Sequence, residues 1–354
     1  MPRRTAIGLD IGTSVVRAVE LSYGRSGTTL ERFGQLVLPP GAVLDGQVVD
    51  EDAVAASLRK LWQATALSHK QVVLGVANQR VIVRQLELPW LPKAELRASL
   101  AFQVQDLLPL PVDQTVLDFF PLEELTDPSG NRTLKGLLVA AARETVLANV
   151  RCAEHAGLHV ESVYLTPFAV LRALGRQTGA EVETEALIDI GARVTNIVIH
   201  SGGVPRFVRI LLVGGQDVTD AVSEQLGVPL AQAEVMKQSV GRGGVEPGFD
   251  AALGDVVRTV ASTSQDFVTE IRGSLDYYAA SNPGVPVERI VVTGGGSRLD
   301  GILDRLAAAT RLPVRSGDPM AHLRIGKTGL DDAQLSFVKP LAAVPVGLAL
   351  GGIR

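Results

Sequence analysis

The chain has 354 residues, 46% of them hydrophobic and 20% charged, which excludes a disordered protein and leaves room for about two domains or one bilobed fold. A formal net charge of -4 offers no basic field to nucleic acid, and Cys152, the sole cysteine, excludes both a disulfide framework and a cysteine zinc cluster and fits a reducing compartment. Asp10 and nearby glycines interrupt any apolar run after Arg3 and Arg4, and ~18 uncharged apolar residues never run together, so the sequence predicts a soluble cytoplasmic protein with neither signal peptide nor membrane span.

In chain order, Thr5–Asp10, Ser14–Tyr23 and Thr28–Val37 are predicted strands, joined by turns at Gly12-Thr13-Ser14 and Gly24–Gly27. Asp50 is the N-cap of a helix through Ala66, and Val72–Val76 is a short apolar strand. From Arg80 the character shifts. Val81–Leu88 alternates as a strand, Lys93–Gln105 is helical until Pro109 and Pro111 stop it, and Thr115–Pro121 with Leu134–Ala142 forms a hairpin. Glu144–Ala156 is a helix closed by Gly157, and His159–Leu165 is a strand. This β-α-β-β-α-β run, 81–165, is large enough to be a subdomain inserted into a first lobe. Glu185–Ile199 then repeats strand, glycine turn, strand, and Val204–Val213 adds a third. Helices follow over Gln216–Leu226, Leu230–Gln238 and Asp255–Ser281. Arg289–Thr293 is a strand ending at Gly294-Gly295-Gly296, Ser297–Thr310 is the helix after it, and Pro319–Lys339 reads as a loop.

The repeat carries the chemistry. Ile7–Leu21 and Ala186–Ile199 each run as apolar strand, Asp-Ile-Gly, small or polar residues, apolar strand. Two related lobes, each presenting one hairpin to a shared cleft, follow from that similarity. Glycine in the hairpins lets backbone approach a phosphate closely. Backbone N–H groups and the hydroxyls of Thr13, Ser14 and Thr195 can bond phosphate oxygens. Asp10 and Asp189 repel phosphate but can hold a hydrated Mg2+, which prefers one or two carboxylates plus water. Arg17 can supply a fixed positive charge. Further on, Val291–Gly301 is a strand ending in three glycines at a helix start, where adenosine or a phosphate fits against bare backbone. Gly326-Lys327-Thr328 lacks the first glycine of a phosphate loop, and Gly157 separates His155 from His159, so neither is read as a site.

This ordered set resembles the phosphate-1, phosphate-2 and adenosine segments of the actin-like ATPase superfamily. Within its FtsA/PilM branch the chain is most similar to the PilM family of type IV pilus assembly. That resemblance rests on Gly8–Leu21, on Leu88–Leu96 and Leu108–Asp118 of the insert, and on the closing Val346–Gly351. It implies an α/β, bilobed actin-like ATPase (ribonuclease H-like) fold. Residues 1–80, an inter-lobe helix in 166–183 and a C-terminal helix in 339–354 would form the first lobe, 184–338 the second, and 81–165 a 1C subdomain.

By position the resemblance assigns Asp10, Gly12, Thr13 and Ser14 to phosphate 1, with Arg17 where a lysine is usual. It assigns Asp189, Gly191 and Thr195 to phosphate 2, and Gly294, Gly295, Gly296 and Arg298 to the adenosine loop. Glu234 and Lys237 would touch ribose and adenine, with a solvated ion pair as their other reading. Arg193 would meet phosphate or solvent. The implied cofactors are ATP and Mg2+, the latter held by Asp10 and Asp189 through water.

The resemblance also implies a scaffold docking the N-terminal cytoplasmic tail of a PilN-like inner-membrane protein between the insert and its parent lobe. That tail would bring the protein to the inner face of the cytoplasmic membrane. Thr166–Leu174 holds no Gln or Glu to orient water, so no catalytic residue is assigned and hydrolysis is expected to be slow. The alternatives are a small-molecule kinase of the same superfamily, for which no Asp-centred acceptor motif stands out, and an FtsA-like division filament protein. The amphipathic membrane helix that ends FtsA has no counterpart after Gly351-Gly352.

Overall fold

Period-two alternation of Ile, Leu and Val builds three antiparallel strands at the N-terminus: β1 (Arg4–Ile11), β2 (Val15–Gly24) and β3 (Gly27–Val37). The computed structural model describes residues 4–25, 27–175, 184–240 and 253–352. Ser26 of the predicted Gly24–Gly27 turn, 176–183 of the predicted inter-lobe segment and 353–354 of the predicted C-terminal helix lie outside the described residues. A two-stranded hairpin follows, β4 (Val43–Leu44) and β5 (Gln47–Val48), and then α1 (Glu51–Thr65). The Asp50 side chain caps α1 by accepting from the Ala53 N–H at 2.9 Å. Next comes β6 (Gln71–Val76), parallel to β1.

The insert is smaller than its sequence pattern implies. β7 (Val81–Pro89), α2 (Lys93–Val104), β8 (Thr115–Thr126) and β9 (Arg132–Ala142) form a three-stranded sheet in the order β7-β9-β8, with α2 on one face. The next two elements, α3 (Arg143–His155) and β10 (His159–Leu165), return to the first lobe. β10 pairs parallel with β6, and Ala148, Cys152 and Ala153 of α3 pack into the same core as Leu58 and Leu61 of α1. The predicted boundary at 165 is therefore corrected to about Ala142. The reason is that β10 finds its ladder partner on β6, which the insert's sheet cannot supply.

After α4 (Thr166–Leu174) the second lobe opens with β11 (Thr184–Ile190), β12 (Thr195–Ser201) and β13 (Val204–Leu211). Helices α5 (Gly215–Leu226), α6 (Leu230–Ser239) and α7 (Leu253–Ser281) come next, then β14 (Arg289–Thr293), α8 (Ile302–Thr310) and β15 (Val314–Ser316). The two sheets run β10-β6-β1-β2-β3-β16 and β13-β12-β11-β14-β15, with β16 (Arg324–Ile325) a short strand added beside β3. Apart from β16, both place the third strand next to the second, then the first, fourth and fifth. The repeat seen in the sequence is thus a repeat of topology, and the fold is bilobed and actin-like.

Two readings are corrected in this half. Ser297–Thr310 is not one helix: Gly295–Arg298 is a single tight turn, and Gly301 at φ 66 precedes α8. Pro319–Lys339 is not wholly a loop. It contains β16 and α9 (Asp332–Val338), the latter fixed by reciprocal Asp331 and Gln334 capping bonds. β16 also brings the chain back to the first lobe before residue 339.

α4 and the last helix, α10 (Ala343–Gly351), join the lobes. Val19, Leu21 and Val73 from the first sheet and Leu187, Val198 and Val291 from the second share one buried cluster with Ala169 and Val170 of α4 and Val346 and Leu348 of α10. Among the described residues no single helix is long and apolar enough to cross a membrane.

Candidate functional site

Each lobe carries one carboxylate at the end of its first strand. Asp10 sits opposite Arg17 in the β1–β2 ladder, and the guanidinium Nη1 lies 3.7 Å from Oδ2. Asp189 sits opposite Asn196 in the β11–β12 ladder, and Asn196 Nδ2 donates to Asp189 Oδ2 at 3.2 Å. Burial pushes the Asp189 carboxyl up to about 6, and the negative Asp10 across the cleft pushes the same way. Asp10 is raised as well, by burial, with Arg17 opposing. The two carboxylates therefore share one poorly hydrated space and repel each other across it.

Two polar atoms beside them are buried without partners, Arg17 Nε and Asn196 Oδ1. Asn196 Oδ1 is an acceptor, suited to a water molecule on a cation. Among the described residues no cluster of three or more ligating side chains exists. A cation here would be held by one or two carboxylates with water filling the rest, which is the habit of Mg2+. The residues present fit that ion.

The turns after both carboxylates have the same build. Gly12 N–H donates to the Val15 carbonyl at 3.1 Å, and Gly191 N–H to the Val194 carbonyl at 2.9 Å. A Cβ on Gly12 would come within 2.9 Å of Val15 O, and one on Gly191 within 2.5 Å of Val194 O, so neither turn admits a side chain. Thr13 and Ser14 line the first turn and are half-buried. Thr195 is placed differently from expectation. It is fully buried, and its hydroxyl donates to the Val213 carbonyl at 2.8 Å, so its proton is committed to the fold. Arg193 is paired with acids: it bonds Asp217 at 2.6 Å and Asp220, tying the turn to α5.

On the other side, Gly294 is at φ 86, and a Cβ there would stand 2.7 Å from Asp189 Oδ1. The carboxylate occupies the side-chain position, so glycine is required. Gly294 N–H and the Thr293 hydroxyl both donate to the Pro340 carbonyl, at 2.7 and 2.9 Å. The Arg298 guanidinium lies 3.7 Å from the centre of the Phe337 ring.

Glu234 and Lys237 are a brace rather than a solvated pair. Lys237 Nζ donates to Glu234 at 2.6 Å, to Thr219 at 2.8 Å and to the Gly215 carbonyl at 2.9 Å. Burial works against the Glu234 charge, but Lys237 outweighs it and holds the carboxyl below its ordinary value. The brace fixes Gly215, whose Cβ position faces Gly296 Cα at 4.0 Å. The two glycine turns thus pack backbone to backbone.

Gly214, Gly215 and Asn196 were not among the residues expected from sequence. A Gly-Gly pair closing β13 and opening a helix is the same punctuation that marks Gly294–Gly296. Asn196 occupies in the second repeat the position that Arg17 holds in the first.

A family model described as type IV pilus assembly protein PilM matches residues 8–353. A solved PilM-PilN type IV pilus biogenesis complex superposes with a TM-score of 0.85 and 27% identity, covering 100% of both chains. Cell division protein FtsA of Neisseria meningitidis is 24% identical, covering 88% of this chain and 83% of its own length. MreB5 of Spiroplasma citri bound to ADP shares the fold, with a TM-score of 0.51 and 14% identity over 97% of this chain and 94% of that one.

Proposed function

The chain belongs to the PilM family of type IV pilus assembly proteins, and from that premise we propose that it is a nucleotide-binding scaffold docking the cytoplasmic tail of a PilN-like membrane protein. Full-length similarity to a PilM-PilN complex carries this reading. The insert supports it. β8 is an edge strand, and on the face away from α2 it presents Phe120, 46% exposed and stacked on Phe168 of α4 with ring centres 6.2 Å apart. An open strand edge beside apolar side chains suits an extended peptide, which gains main-chain bonds and anchors alternate side chains. Ordering the tail costs part of that gain, so the affinity is expected to be micromolar, about -8 kcal/mol. Membrane recruitment would come through this partner.

Titration with labelled tails of neighbouring membrane proteins tests the reading. Binding that Phe120→Asp weakens at least about tenfold is expected, from a lost apolar anchor and an unpaired charge. Failure of every tail would return weight to a kinase of the same fold.

The cleft is proposed to take Mg-ATP. Asp10 and Asp189 would hold the ion through water, and the backbone of Gly12, Thr13, Ser14 and Gly191 would face the phosphates. Gly294, Gly295, Gly296 and Arg298, beside Gly215, would face the adenosine. Bound Mg2+ supplies charge neutralisation of the phosphates. Because Asp189 titrates at about 6 without the ion, Mg-dependent affinity should fall as pH drops through that value. Calorimetry at pH 5 and pH 8 measures it, and a flat profile would remove Asp189 from the site. Hydrolysis is proposed to be slow, below about one turnover per second, since α4 carries no Gln or Glu.

A further inference from the structure

Asn78 lies just beyond β6, and the β1–β6 register sets Gly75 beside Asp10. It therefore sits past the C-terminal edge of the first sheet, on the side where open α/β sheets bind ligands and where the phosphate-1 turn lies. The side chain is 1% exposed. Its Oδ1 accepts from the Arg80 N–H at 2.8 Å, which fixes which end of the amide is which. Its Nδ2, with two protons to donate, is buried and bonds nothing.

The tip of the β4–β5 hairpin covers it. Asp45 and Gly46 are both left-handed, at φ 50 and 75, the geometry of a two-residue hairpin turn. A Cβ on Gly46 would overlap the Ala77 carbonyl, would stand 3.2 Å from Asn78 Cβ, and would stand 3.3 Å from Val194 Cγ2. One backbone position thus touches the end of β6 and the phosphate-2 turn of the opposite lobe. Asn78 thus lies beneath the hairpin tip, beside the phosphate-2 turn.

A buried donor left unbonded is costly, and native folds rarely keep one without a purpose. The structural role of this side chain, closing the turn to Arg80, uses only the oxygen. We infer that Asn78 Nδ2 is reserved for the terminal phosphate of a bound nucleoside triphosphate and makes the cleft discriminate triphosphate from diphosphate. This rests on the nucleotide reading above. A diphosphate would leave the donor unpaired, and the hairpin tip would hold the amide in place.

The test compares the full-length wild type with Asn78→Asp and Asn78→Ala. Mg-dependent binding of ADP and of the non-hydrolysable AMPPNP is measured by calorimetry. Asn78→Asp keeps the acceptor for Arg80 N–H but exchanges the donor for a negative charge, Asn78→Ala removes the donor without adding one, and melting curves report whether each variant folds. Both variants should weaken AMPPNP by about tenfold or more and ADP by no more than about twofold, the effect of one lost hydrogen bond to a charged group. An unchanged AMPPNP to ADP ratio, with wild-type binding intact, overturns this inference alone. Wild-type protein that binds neither nucleotide overturns the cleft assignment and this inference with it.

Discussion

Asp189→Asn protein is expected to melt at a higher temperature than wild type above pH 6 and to have lost Mg-dependent nucleotide binding. The folded-state value of Asp189 is about 6, against an ordinary 3.8, so between these values the native state holds a proton that the unfolded chain releases. Stability from this group is greatest at or below the lower value. It declines as pH rises and is fully lost above the upper one, where two carboxylates must coexist. A shift of that size corresponds to at most about 3 kcal/mol, and each kcal/mol moves the melting point by roughly 2–4 °C in a domain of this scale. Asn at this position keeps an acceptor for Asn196 Nδ2 and removes the charge. Calorimetric melts at pH 5 and pH 8 should show a gain at both, the larger one at pH 8. Binding would drop by about a hundredfold, since one of two carboxylates facing the ion is gone. A variant that binds as tightly as wild type would contradict the cation assignment, and one that melts lower at pH 8 would contradict the repulsion.

Gly347→Ala should be among the most damaging single changes in the chain. A Cβ there would drive into the carbonyl carbon and oxygen of Ala169, where α10 crosses α4. Backbone cannot rotate away as a side chain can, so the cost should exceed about 3 kcal/mol, above the usual range for an added methyl. Gly8 stands against α10 in the same way, its Cβ position overlapping the Pro345 carbonyl. Gly273, within α7, supplies the control, because nothing lies within 4 Å of its Cβ position. Gly273→Ala should gain about 0.5–1 kcal/mol from helix propensity. Denaturant melts of both variants decide the matter, and near-equal effects would show that the crossing is loosely packed.

Much of the fold was legible because the repeat is local. Asp-Ile-Gly between two apolar strands fixes a hairpin with its carboxylate at the turn, and two such hairpins define a two-lobed cleft. The limits of the insert were not legible, because His159–Leu165 has the composition of a strand in either sheet. Only the parallel register with β6 decides between them. The layout of the candidate site was readable where aspartate or glycine marks a strand-end turn. It was not readable at Thr195, where a hydroxyl serves backbone or ligand equally well, nor at Arg193, whose partners Asp217 and Asp220 come from the following helix. The ion-pair reading of Glu234 and Lys237 had the right pairing. Spacing along one helix could not reveal that the pair also grips Gly215.

The insert enters and leaves through a single doorway. Val81 pairs with Ala141, and Ala142 N–H donates to the Arg80 carbonyl at 3.3 Å. A module joined to its host at neighbouring points can be lengthened, trimmed or exchanged with little effect on the path of the surrounding chain, since closing the host across the gap takes only a short turn. Lineages could thus retool the docking face while the cleft stays fixed. For the bench, residues 81–141 mark a cassette, transplantable between relatives to trade partner choice while the remaining chassis is left alone.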